Sequence, residues 1–157
     1  MIRIVTYSTE DTVEKGRLLG SILKKGDVIC LEGDLGTGKT AFTSGIAKAL
    51  GIDGYIKSPT FTIVNEYKGK LPLYHFDVYR ISDSSEMFEV GFEEYLYGNG
   101  VVVIEWANMI KDILPEEYIW VEIRKDQEKG QDARIITLEF SGKRFEDRER
   151  YYESISG

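Results

Sequence analysis

The sequence predicts a single three-layer α/β domain, with a mostly parallel central sheet and a C-terminal β-hairpin. Three observations predict it. Two short, continuously apolar runs, residues 28–31 and 101–104, have the pattern of strands buried on both faces. Helical stretches separate the strands, as crossover connections require. Near the C-terminus, residues 118–124 and 134–140 alternate apolar with polar on either side of a charged, glycine-containing turn.

In chain order, residues 2–6 read as a short strand. Ser8 or Thr9 can cap a helix over residues 10–24, whose first turn is acidic. Lys24-Lys25-Gly26-Asp27 closes it as a turn before the strand at 28–32. Glycines follow at Gly33, Gly36 and Gly38, and a second helix runs from Lys39 to Leu50, stopped by Gly51. Residues 58–65 are extended, 71–76 form a strand, and 84–90 and 93–97 form short helices. The second apolar strand ends in Glu105, and a helical or irregular stretch leads to Pro115. After the hairpin, residues 146–155 form a mostly charged terminal helix.

The 157 residues suit one domain spanning 1–157, and an apolar fraction of 42% is ordinary for a packed core. A net charge of −7 argues against a protein that grips RNA or DNA on its own. The single cysteine, Cys30, lies inside an apolar run and reads as a core residue. One cysteine allows no internal disulfide, which fits a reducing cytoplasm. No stretch has the length and apolarity of a signal peptide or a membrane span.

Function enters at residues 33–40. Gly33-Asp34-Leu35-Gly36-Thr37-Gly38-Lys39-Thr40 is a complete GxxxxGK[ST] phosphate-binding loop between a strand and a helix. A chance match arises in roughly one chain of this size in 200 at ordinary residue usage. The glycines let backbone N–H groups converge on an anion, and the following helix, beginning with Ala41 after the motif, adds its positive end. Lys39 is expected to reach the β- and γ-phosphates of a nucleotide, and Thr40 to place its hydroxyl on Mg²⁺. Glu105, at the end of the second apolar strand, is the expected acidic partner of that metal. Ser58-Pro59-Thr60-Phe61-Thr62 occupies the place of a switch loop, so Ser58 and Thr60 are candidate γ-phosphate sensors. His75, Asp77 and Tyr79 share one face if their strand continues. Asp77 is the candidate for orienting the attacking water; His75, the only histidine, reads first as a structural hydrogen-bonder. Trp106 packs the switch region, contacts a partner, or serves as a core aromatic.

Taken together and in order, these motifs resemble the TsaE (YjeE-type) family of P-loop ATPases. The resemblance rests on Thr9-Glu10-Asp11-Thr12, residues 33–40, Ser58 to Thr62, His75 to Arg80, and Glu105-Trp106. Thr37 stands where the family usually has alanine. The resemblance looser than these, at Asp132-Ala133-Arg134, implies a nucleotide contact for Arg134, and the helix start implies one near the adenine for Thr9. It further implies a cytoplasmic, Mg²⁺-dependent ATPase needed for N6-threonylcarbamoyladenosine on the tRNA adenosine beside the anticodon. Such a protein works with TsaD and TsaB, resetting their complex between turnovers, and meets tRNA only through that complex. The residues leave an alternative open: a nucleotide-gated binding module whose ATP occupancy controls docking without hydrolysis. A kinase or GTPase reading is weakened because the chain lacks an NKxD guanine signature and an arginine-rich lid segment.

Overall fold

The computed structural model describes residues 1–34, 36–57, 59 and 63–157. The chain runs β1 (Ile2–Thr6), α1 (Thr9–Gly20), β2 (Val28–Glu32), α2 (Lys39–Ala49), β3 (Val64–Tyr67) and β4 (Leu73–Asp77). It continues through α3 (Glu86–Glu89), α4 (Phe92–Leu96), β5 (Val101–Glu105), β6 (Tyr118–Lys125), β7 (Arg134–Ser141) and α5 (Glu146–Ser156). A kinked 3₁₀ stretch at Ala107–Ile113 follows β5. Among the described residues, the strands form one sheet in the order β1-β7-β6-β2-β5-β4-β3.

The sheet is mixed rather than mostly parallel. The four central strands β6, β2, β5 and β4 are parallel neighbours, whereas β1–β7, β7–β6 and β3–β4 pair antiparallel. The expected hairpin is present as β6 and β7, but it is built into the sheet, because β6 pairs with β2 and β7 receives β1. Hydrophobic runs mark the buried parallel strands correctly. They carry no record of which strand the hairpin joins.

Helices cover both faces. Ile29, Leu31, Val101 and Val103 pack with Leu19, Phe42, Ile46 and Tyr152 of α1, α2 and α5. Val28, Cys30, Val102 and Ile104 face Met87, Phe92, Leu96 and Ile110 on the other side. This alternation follows from the two-residue period of a strand. Cys30 is fully buried there, and burial pushes its thiol well above the usual range, so it is a packing residue.

The first helix ends at Gly20, four residues earlier than the sequence pattern suggests; Ser8 is its cap, with Ser8 Oγ accepting from the Asp11 N–H at 3.0 Å. Ile22 and Leu23 remain buried, but as part of the turn that follows. Helices α1 and α2 meet backbone to backbone at glycines. A Cβ added to Gly16 would lie 2.1 Å from the Phe42 carbonyl oxygen, and one added to Gly45 would lie 2.0 Å from that of Val13. Gly45→Ala would gain roughly 1 kcal/mol of intrinsic helix preference. Here it is expected instead to destabilise by about 1–3 kcal/mol, because the helices must separate. Urea unfolding of the variant reads the sign directly; a more stable protein would show that the two helices are free to shift.

Candidate phosphate-binding site

The parallel strands β2, β5 and β4 all end at one edge of the sheet, where ligands of open α/β sheets bind. From β2 the chain enters the glycine loop. Gly33 (φ +155°), Gly36 (φ +78°) and Gly38 (φ +107°) hold positive φ. At Gly33 there is a second reason for glycine, since a Cβ would meet the Ile123 carbonyl oxygen at 2.6 Å. Thr37 is buried and fastens the loop internally, its N–H and its hydroxyl donating to the Asp34 carbonyl at 3.3 and 2.9 Å. Gly38 caps α2 in a left-handed conformation and brings no capping side chain of its own to the first N–H groups of that helix. Leu35, Ser58 and Thr60 lie outside the described residues.

Beside the loop is a cavity of about 580 Å³. It gathers most of the residues the sequence singled out: Thr9, Gly36, Gly38, Lys39, Thr40, Ala41, Asp77, Glu105 and Arg134. Gly33, Asp34 and Thr37 support the loop without lining the cavity. Thr12, Tyr79, Arg80, Trp106 and Asp132 complete the wall. Thr12 is itself fixed by a 2.8 Å hydroxyl–hydroxyl bond to Thr6 at the end of β1.

Lys39 is 6% exposed and has three partners among the described residues. Its Nζ donates to the Gly33 carbonyl at 2.7 Å, lies 3.8 Å from Glu105 Oε1, and sits 4.2 Å from the centre of the Trp106 ring. A desolvated ammonium requires such compensation. Trp106 takes up a left-handed backbone conformation (φ 64°), uncommon for a bulky residue, and its ring also packs on Tyr79 with centroids 4.8 Å apart. The strain brings the indole over Lys39 immediately after the Glu105 carboxylate.

Asp77 and Glu105 are register partners on adjacent parallel strands, so both carboxylates leave the sheet at the same level. Asp77 Oδ1 accepts the Tyr79 N–H at 3.0 Å, which turns the chain out of β4 and sends Tyr79 to the surface rather than along a continued strand. His75, two residues earlier on the face of Asp77, is fully buried, and its Nε2 lies 2.7 Å from Glu105 Oε2. Glu105 is therefore bracketed, with Lys39 at one oxygen and His75 at the other. In this contact the carboxylate oxygen is the acceptor and His75 Nε2 the donor. Glu32, at the end of β2, accepts the Asn108 N–H at 2.9 Å; burial raises its carboxyl above the usual carboxylate range, against the opposing pull of that bond and of Lys39.

The sequence did not identify His75 as a site residue, although its spacing of two from Asp77 already placed it on the same face. Thr12 and Asp132 appeared in the sequence only as members of the stretches Thr9–Thr12 and Asp132–Arg134, with no role assigned; the former is one helical turn along from Thr9, the latter lies in the hairpin turn. Arg134 stands at the cavity edge, with its guanidinium against the loop backbone: Nε donates to the Thr37 carbonyl at 2.7 Å.

The site can accept an anion against α2 and a hard cation against oxygen donors. The first follows from the open N-terminus of α2 and from Lys39. For the second, the Thr40 hydroxyl and the Glu105 carboxylate face one cavity, and such oxygen ligands suit Mg²⁺.

Known proteins resemble this chain in sequence and fold. The family model described as threonylcarbamoyl adenosine biosynthesis protein TsaE matches residues 6–136. A protein of Bacillus subtilis described as tRNA threonylcarbamoyladenosine biosynthesis protein TsaE is 47% identical over 142 residues, covering 90% of this chain and 87% of its own. One of the same description from Treponema pallidum is 43% identical over 123 residues, covering 78% and 91%. The crystal structure of Bacillus subtilis YdiB superposes with a TM-score of 0.84 at 39% identity, covering 99% of this chain and 96% of that one. The family model spans most of the chain and the relatives are 43–47% identical over most of its length, so the chain belongs to the TsaE family.

Proposed function

We propose that this chain is a Mg²⁺-dependent P-loop ATPase acting in the biosynthesis of N6-threonylcarbamoyladenosine on tRNA, in the cytoplasm, through the TsaB–TsaD complex. The observation that carries the reading is the convergence of Lys39, Thr40, Asp77 and Glu105 on one cavity at the uncapped N-terminus of α2. Membership of the family supports the place in tRNA modification.

In this reading the loop amides and Lys39 hold the β- and γ-phosphates, and catalysis is positioning plus electrostatics. Thr40 and Glu105 would hold Mg²⁺, which would supply charge neutralisation on the phosphate oxygens. His75 keeps the Glu105 carboxylate aimed at the site by its 2.7 Å contact. Asp77, level with Glu105, accepts a hydrogen bond from the water that attacks the γ-phosphorus. Thr9 and Thr12 border the part of the cavity left for the nucleoside, and Ser58 and Thr60 sense the γ-phosphate. The chain supplies no arginine that this reading assigns to the transition state, so hydrolysis by the isolated protein is slow and TsaB–TsaD completes the site. An acidic chain of net charge −7 fits action on protein partners, with tRNA reached only through them.

Phosphate release from ATP by the purified chain, with and without TsaB–TsaD, tests this. Slow release alone, accelerated by the complex and absent without Mg²⁺, is the expected result. Tight ATP binding with no hydrolysis in any mixture would eliminate the ATPase and leave a nucleotide-gated binding module.

A further inference from the structure

Arg134 opens β7, paired with Thr6 on one side and Lys125 on the other. Its guanidinium is committed to backbone carbonyls. Nη1 donates to Gln131 and Ala133 at 3.0 and 2.9 Å, anchoring the group to its own turn. Nε donates to Thr37 at 2.7 Å and Nη2 reaches Gly36 at 3.5 Å, both in the glycine loop. We propose that Arg134 is a positioning residue that locks the glycine loop in its anion-binding conformation from outside, instead of reading the nucleotide itself. This rests on the loop being the phosphate site.

The physical reason lies in the peptide plane. In a planar trans peptide the C=O and N–H point in opposite directions. Holding the Thr37 carbonyl toward β7 therefore turns the Gly38 N–H away from β7, and Gly38 lines the cavity. The Thr37 N–H is already committed to Asp34. Gly36 and Gly38 both have positive φ, and glycine crosses between backbone regions with little penalty, so the loop sequence alone leaves several peptide orientations open. A rigid planar fork that spans two successive carbonyls removes them. An ammonium is a point charge on a flexible stem and cannot span the pair. The same hairpin supports the loop at its other end, where the Ile123 carbonyl packs against Gly33. The β6–β7 hairpin is thus the platform on which the anion site is assembled.

The test uses the full chain with Arg134→Lys and Arg134→Met, the latter keeping the aliphatic stem. Two properties are measured: amide hydrogen exchange across residues 36–40 of the ligand-free protein, and affinity for ATP, for inorganic tripolyphosphate and for adenosine. Both variants are expected to speed loop exchange and to weaken ATP and tripolyphosphate by the same factor. That factor is at least about tenfold, the loss of a charged hydrogen bond. Adenosine affinity and exchange elsewhere in the sheet stay unchanged. Recovery of binding in Arg134→Lys would assign a simple charge contact and overturn the clamp. Loss for ATP but not tripolyphosphate would assign a base or ribose contact and also overturn it, as would unaltered loop exchange. If the wild-type chain binds neither ATP nor tripolyphosphate, the proposed function fails, while the ligand-free exchange still decides the clamp.

Discussion

Glu105→Ala is expected to lower ATP hydrolysis by at least about 10²-fold, the effect typical of removing one preorganised electrostatic group from a reacting centre. Three roles fall together. The carboxylate is the nearest acidic group to Lys39, at 3.8 Å; it is the acceptor for fully buried His75, at 2.7 Å; and it is the proposed Mg²⁺ ligand beside Thr40. Its removal strands Lys39 and His75 in a site that water scarcely reaches, so stability should fall as well. Glu105→Gln separates the two effects. The amide oxygen can still accept from His75 Nε2, so the melting temperature should fall less than in Glu105→Ala, while the charge needed at Lys39 and Mg²⁺ is gone. Steady-state phosphate release with ATP binding measured in parallel distinguishes lost chemistry from lost affinity. A Gln variant hydrolysing at the wild-type rate would show that the negative charge of Glu105 is not used.

Asp27→Ala should produce the largest loss of stability, at the opposite end of the sheet from the site. Asp27 is fully buried just before β2. It receives Nη1 of Arg148, and Nη2 of the same arginine at 3.2 Å; Arg144 Nε lies 3.6 Å away, and the Lys24 N–H donates to it at 2.7 Å. This cluster joins α5 to the turn after α1. Arg148 also reaches the Ile22 carbonyl, and Tyr152 on the same helix donates to the Lys15 carbonyl at 3.0 Å. Truncating the acid leaves Arg148, with a side chain 12% exposed, as an uncompensated charge. Breaking a buried pair in this way costs about 3–5 kcal/mol. For a domain of this size that lowers the melting temperature by roughly 6–20 °C. Thermal and urea unfolding measure it. A shift within a degree or two of wild type would mean that α5 is held by its apolar contacts alone. The terminal helix, mostly charged in sequence, is thus an integral part of the domain core through Tyr152 and Arg148.

Much of the site was legible because its parts are local. The glycine loop is one contiguous segment whose chemistry demands particular residues at particular positions, and helix α2 must start where the loop ends. Glu105 was legible because a carboxylate closing a fully apolar strand stands at the ligand edge of an α/β sheet. Asp77 was legible as one of the ionisable side chains gathered on one face at the end of the next strand. The hairpin was visible in its alternation, which has a period that no helix shares. Alternation was silent, however, about the neighbours of the hairpin, and the sheet came out mixed because β6 enters beside β2 while β1 closes the far edge.

What the sequence by itself determined, then, was the loop, the strands that end beside it and the family these motifs belong to. All are segments whose pattern is imposed by neighbours a few residues away. The tertiary structure alone decided the pairings that make the site work: His75 on Glu105 across 30 residues, Arg134 on Thr37 across 97, and Arg148 on Asp27 across 121. Each is a polar group that must find a partner once burial removes water. Which partner it finds depends on strand order and register, and those follow from packing the whole chain rather than from any local repeat.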